Sequence, residues 1–259
     1  MVCIKLTDKS GNTLAVARGE REVNLISARE YQEGDTVYVE SSEKPGYLWL
    51  YLDDALGKSL VYLTGDIAYP VPFGDRRIHL SPKAFSGSQH LLNVRVAEDF
   101  EVNAYRNLAF SRYDFHGNQA FFPHASANVE TRGEMVFAAC NAIDGVTANE
   151  SHGRWPYGSW GINRNPDAEM KLDFGRTVEA DRIRIYLRAD FPHDNWWKKM
   201  SVAFSDGEVK ELSLEKTGNA QEFVFEKKRI QWLVISHLIQ SEEASPFPAL
   251  SQIEVYGAG

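Results

Sequence analysis

Residues 188–199 read RADFPHDNWWKK and place Arg188, Asp190, His193, Asp194, Asn195, Trp196 and Trp197 in one short stretch. Arg, Asp, Asn and His offer planar, multidentate partners for neighbouring hydroxyls, and Trp offers an aromatic face for the apolar side of a sugar ring. Pro192 would stiffen such a loop and lower the ordering cost of binding. The same residues admit two other readings. Asp190, His193 and Asp194 have the types needed for a base and its orienting partner, or for a metal. Alternatively the stretch is an internal ion-pair cluster with its tryptophans buried. One of Trp196 and Trp197 is expected inside in any case, because a strand starting there alternates faces. A second aromatic face is available from Phe247, in EEASPFPAL at 242–250.

The segments that must position these groups follow a period of two. DTVYVE, GYLWLYL, SLVYLT and LLNVRV in the first half are short β-type runs separated by Gly, Pro, Ser and Asp. MKLDFG, DRIRIYLR, MSVAFSDG, KELSLE, EFVFEK, QWLVISHL and SQIEVYG continue the pattern in the second. In DRIRIYLR, Ile183, Ile185 and Leu187 share one face, while Arg182, Arg184, Tyr186 and Arg188 share the other. WLVISHLI is apolar on both faces, which predicts a central strand. VFAACNAIDG predicts a short helical turn ended by Gly145, and helical periodicity is otherwise nearly absent. The expected fold is therefore all-β: a smaller antiparallel β domain over 1–104, then a jelly-roll sandwich over 105–259. RADFPHDNWW joins two strands of that sandwich and lies at one of its ends.

Composition removes several functions. The 259 residues carry 28 Lys and Arg against 36 Asp and Glu, a net charge of −8. Nucleic acid and anionic membranes call for a basic surface instead. No apolar run approaches the ~18–20 residues of a membrane span. The start, MVCIKLTDKSG, has neither the basic nor the apolar region of a signal peptide. The expected location is cytoplasmic if this start is the natural one, and extracellular if a leader was removed. Cys3 and Cys140 sit in apolar settings and are expected to be buried free thiols.

The second half resembles the discoidin, or coagulation factor type C, domain, which carbohydrate-binding module family 32 shares. RNLAFS, NAIDGVTAN, MKLDFG, DRIRIYLR, VAFSDG and SQIEVYG resemble its successive motifs, in order, over roughly 105–259. The first hundred residues carry no such likeness. The resemblance implies a galactose-binding-like jelly roll that takes sugars on its end loops. It also implies a structural calcium held by Asp144, Thr147 and backbone carbonyls, with Glu254 reaching in from the last strand. Calcium needs 6–8 oxygen ligands. The plain alternative is an Asp-Gly turn capped by its own side chain. In ESHGRWPYGSWG, the resemblance implies that His152 meets Arg188 at the binding end. Trp155 there is either a packed residue or a loop aromatic, and Trp160 is expected in the core.

Together these readings describe a non-catalytic, lectin-like protein that binds a mono- or oligosaccharide through His152, Arg188, Asp190, His193, Asp194, Asn195, Trp196 and Phe247. The alternatives are a protein-interaction module, and a carbohydrate-active enzyme using Asp190, His193 and Asp194. Against the enzyme, the chain has no G-x-S-x-G, H-E-x-x-H, P-loop or G-x-G-x-x-G motif. A small jelly roll also makes a shallow site, whereas paired-carboxylate glycosidases usually need a deep cleft.

Overall fold

The computed structural model describes residues 1–149, 153–188, 190–191 and 193–259. The first strands are β1 (Val2–Thr7), β2 (Thr13–Gly19), β3 (Glu22–Ser27), β4 (Thr36–Ser41), β5 (Gly46–Tyr51), β6 (Ser59–Leu63), β7 (Ile67–Pro70) and β8 (His90–Val96). A single four-residue α-helix, Asp99–Val102, follows them among the described residues. Then come β9 (Arg106–Asn107), β10 (Phe121–Phe122), β11 (His124–Ala127), β12 (Trp160–Gly161), β13 (Met170–Leu187), β14 (Trp197–Phe204), β15 (Val209–Ser213), β16 (Gln221–Gln240) and β17 (Ala249–Ala258). The protein is all-β.

In the first half, sheet β2-β1-β4-β7 and sheet β10-β6-β5-β8-β3 enclose one core. The alternation seen in the sequence is the reason. In β3, Val23 and Leu25 are buried while Glu22, Asn24 and Ile26 face out.

The second half is one larger antiparallel sheet, ordered β12-β17-β13-β16-β14-β15, with β11 on β13 and β9 on β17. It closes a second core around Trp160, Met170, Leu172, Ile183, Ile185, Trp197, Val202, Leu233 and Ile253. Its long strands serve more than one neighbour. The first part of β16 pairs with β13 at 178–185; its last part pairs with β13 at 170–173 and with β14. QWLVISHL is therefore central, as its apolar faces imply. Ile183, Ile185 and Leu187 point inward, and Trp160 is fully buried. VFAACNAIDG forms two 3-10 turns, Met135–Phe137 and Ala139–Ile143, before Gly145 at φ +81°. Cys3 and Cys140 are buried and free.

The chain alternates between the two cores before settling. Leu108 and Ala109 join the second core, Tyr113 and Phe121 return to the first, and Ala125 joins the second again. Four residues of β13, 174–177, lie opposite one residue of β16, and this bulge faces the first half. There Gly175 adopts φ +68° with the Phe122 ring against it; a Cβ at this position would fall 2.3 Å from that ring. Arg176 packs its guanidinium over Tyr47 and Tyr62, at 4.7 and 5.2 Å from the ring centroids.

Candidate functional site

The register places several loops at one end of the second sheet. Leu187 at the end of β13 pairs with Leu250 near the start of β17, and β12 pairs there too. The segments after β12 and β13, the one before β17 and the 3-10 turns around 131–137 enclose a cavity of about 420 Å³. That volume suits a small molecule, since such sites are usually ~300–1,000 Å³. Phe137, Ile162, Pro246, Phe247 and Pro248 supply apolar wall, and Thr131, Asn163, Arg164 and His193 supply polar groups. Phe247 is held between two partners. His193 stacks on it with centroids 5.8 Å apart, and the Arg164 guanidinium lies 4.7 Å from its centroid.

The 188–199 stretch has a different part from the expected one. An exposed Arg188 fork was expected; Arg188 is 3% exposed. Its Nε donates to Asp194 Oδ2 at 2.9 Å and its Nη2 to Asp194 Oδ1 at 2.5 Å. Asp194 is fully buried and also accepts the Asp190 backbone N–H at 2.9 Å. A buried charge persists only when paired and hydrogen-bonded, and here each ion supplies the other's partner. Arg188 still forms part of the cavity wall, donating from Nη1 to Ser159 Oγ at 3.3 Å and lying 4.9 Å from the Tyr157 centroid. Burial pushes the Tyr157 phenol up, with Arg188 acting against it.

Asn195 is also fully buried, which corrects its expected place on the binding surface. Its amide donates to the Glu243 and Ser245 carbonyls at 3.1 and 2.6 Å, and its side-chain oxygen accepts from Trp196 N–H and Ser241 Oγ. These bonds tie the 241–247 loop down and so fix where Phe247 stands. Trp197 is the buried tryptophan of the pair; Trp196 is half-buried and donates its indole N–H to Glu243 at 3.1 Å. Among the expected ligand-binding residues, Arg188, His193 and Phe247 line the cavity. Asp190, Asp194, Asn195 and Trp196 do not. His152 and the stiffening Pro192 lie outside the described residues. Of the trio Asp190, His193 and Asp194, the Asp194 carboxylate is committed to Arg188 and to backbone.

Reading the sequence missed Thr131, Arg132, Phe137, Asn163 and Arg164. A signal was available in GINRNPD, a polar stretch too crowded for a strand. In it Asn163 and Arg164 take consecutive positive φ values, 48° and 60°, a conformation Asn tolerates better than Arg. Thr131 Oγ1 accepts the Asn163 N–H at 3.0 Å and so braces that turn. Arg132 is paired with Glu134, whose carboxyl is held below its usual range by that bond.

The residues expected to hold calcium fit only in part. Asp144 sits in the turn, with Oδ1 accepting the Val146 N–H at 2.7 Å, and burial pushes its carboxyl up to about 7. The Arg112 guanidinium already supplies positive charge to that carboxyl and acts against the effect of burial. Thr147 is exposed. Glu254 instead accepts from the Tyr256 and Tyr186 hydroxyls at 3.0 and 3.4 Å, and Gln252 is the side chain that reaches the turn, accepting the Gly145 N–H at 3.0 Å. Among the described residues, no three His, Cys, Asp or Glu are grouped to hold a metal. No helix among them is long and apolar enough to cross a membrane.

The chain matches no family model and no curated protein. It is similar to solved structures of carbohydrate-binding modules. One is chitosan-binding module 1 of a Paenibacillus sp. IK-5 chitosanase/glucanase, at 15% identity over 60% of this chain and 100% of that one, TM-score 0.41. Another is a family 32 module from C. perfringens in complex with galactose, at 18% over 51% and 91%, TM-score 0.39. A third is a fucose-binding module of Streptococcus pneumoniae, at 13% over 60% and 96%, TM-score 0.41.

Proposed function

We propose that the protein binds a mono- or oligosaccharide, without catalysis, in the cavity at the end of its second sheet. The observation that carries this reading is the seating of Phe247, between His193 and Arg164, in the wall of a cavity of about 420 Å³. A sugar ring offers an apolar face to such an aromatic and hydroxyls to Thr131, Asn163 and Arg164. The buried Arg188–Asp194 pair and the Asn195 bonds hold the loops in place, so the wall is formed before a ligand arrives and the ordering cost is small. Each sugar hydrogen bond replaces one to water, so dissociation constants of ~1 μM to 1 mM are expected, about −8 to −4 kcal/mol. A glycan array on the whole chain tests this: sugar hits support it, and a blank array with binding to a protein partner overturns it.

Residues 105–259 are proposed to carry this site as a unit, with residues 1–104 as a smaller β domain packed beside it. Calcium is proposed at the Asp144 turn, held by that carboxylate, Thr147 and backbone oxygens, without Glu254. It would stabilise the fold and take no part in chemistry. Binding to the folded state alone raises the melting temperature by mass action. EDTA should therefore lower it, and an unchanged melting curve with no metal in the purified protein would contradict the proposal.

A further inference from the structure

A second cavity, of about 210 Å³, lies where the first core meets the returning segment around Arg112–His116. Arg76, His79, Arg112 and His116 line it, with Tyr69 and Phe115 as apolar wall. Arg76 sits at the end of the 3-10 turn Gly74–Arg76, and Arg112 has its guanidinium 5.5 Å from the Phe110 ring centroid. Among the described residues neither guanidinium has a hydrogen-bond or ion-pair partner. Asp114 is the one acid in this wall and the Arg112 charge also acts on the Asp144 carboxyl, but neither arginine closes an ion pair, so both keep donors for a ligand anion in the cavity.

The acids near by are already engaged. Asp114, also in the wall, accepts from Asn118 at 3.0 Å and from the Ala125 N–H at 2.8 Å, and pairs with His124 at 2.7 Å. Glu130 pairs with His116 at 2.6 Å and accepts the Ala139 N–H at 2.8 Å. The fourth basic group is His79, whose Nδ1 is buried without any hydrogen-bond partner. A buried polar atom left unpaired costs about 1–3 kcal/mol, so a ligand oxygen there would relieve a standing penalty.

We propose that this junction cavity binds a small organic oxyanion, a phosphate or carboxylate carried on a ring-sized body. The arginines would take the oxyanion as forks, which suits their planar geometry. Tyr69 and Phe115 would pack against the body, since the cavity is larger than an oxyanion alone requires. The site is separate from the sugar cavity and shares no lining residue with it.

The test is calorimetric titration of the full chain with inorganic phosphate, glucose 6-phosphate and glucuronate, and with glucose as the neutral control. At least one anion is expected to bind at millimolar or lower concentration and to raise the melting temperature, and the anions that do so separate phosphate from carboxylate recognition. Arg76→Gln and Arg112→Gln should each weaken that binding about ten- to hundred-fold, as loss of a charge-assisted hydrogen bond does. Phe247→Ala should leave it unchanged, which separates this site from the sugar cavity. Arg76 is exposed, so its variant folds even where Arg112→Gln does not. Absence of heat with all three anions overturns the proposal, and so does anion binding that Arg76→Gln leaves at the parental affinity.

Discussion

Replacing Arg188 by Ala should damage the fold before it damages recognition. The side chain is 3% exposed and its partner Asp194 is 0% exposed, with two charge-assisted hydrogen bonds between them. Truncation leaves the Asp194 carboxylate in the interior with the Asp190 N–H as its remaining hydrogen-bond donor. Breaking a buried pair from one side costs about 3–5 kcal/mol, because the remaining charge is uncompensated. Against a total stability of roughly 5–15 kcal/mol that is a large fraction. At about 2–4 °C per kcal/mol for a chain of this size, the melting temperature should fall by about 6–20 °C. Removing both ions, as Arg188→Met with Asp194→Leu, should recover most of the loss, since a buried pair exchanged for apolar side chains is often neutral or better. Calorimetric melting of the parent, both single variants and the double variant gives the coupling directly. A single-variant loss under about 3 °C, or a double variant no more stable than Arg188→Ala, would refute the reasoning.

Two further outcomes are expected. His124 is pulled down by burial, but its hydrogen bond to Asp114 and that carboxylate's charge outweigh this and leave its pKa raised above 6.5. The protonated form is thus favoured in the folded state, so its contribution is complete below pH 6.5 and is lost as the pH rises through the raised value. His79 acts oppositely, since burial lowers it to about 4 and it must stay neutral; its contribution is lost as the pH falls from 6.5 towards 4. Melting temperature against pH should therefore fall above 6.5 more steeply in the parent than in His124→Gln, and parallel curves would contradict the assignment. Gly175→Ala should cost about 2–4 kcal/mol, from a left-handed backbone and a Cβ driven into the Phe122 ring. The loss should shrink in a Phe122→Ala background, and an equal loss in both backgrounds would refute the contact.

The β-character of the chain was legible because each half-buried strand carries its own period-two record. Ile183, Ile185 and Leu187 are inside for the reason their spacing gives. The position of the 188–199 stretch in the fold was legible, its role less so. RADFPHDNWW does lie at the loop end of the sheet, but its chemistry turns inward. Composition cannot separate a fork that waits for a ligand from one closed on Asp194, because the same planar geometry serves both. Asn195 illustrates the same ambiguity, as three of its four side-chain hydrogen bonds are spent on the loop that carries Phe247 and the fourth on the Trp196 N–H. Arg164 left a weaker trace, since its position over Phe247 depends on a backbone turn and on a residue more than eighty positions away. The calcium set was read from a likeness in which Glu254 follows a strand motif, whereas the register puts Gln252 beside the turn and Glu254 among tyrosines. The return of Tyr113 and Phe121 to the first core has no marker in hydropathy, because both cores accept the same residue types.

The central claim is that a sugar lies against Phe247. The direct measurement is titration of the strongest glycan-array hit into the parent and into Phe247→Ala, with the melting temperature of each recorded. Phe247 is 37% exposed, so its truncation should leave the melting temperature within about 2–4 °C of the parent, roughly 1 kcal/mol. Affinity should fall at least about tenfold, the equivalent of ~1.4 kcal/mol. Parental affinity in a stable Phe247→Ala variant would place the sugar elsewhere and contradict the account.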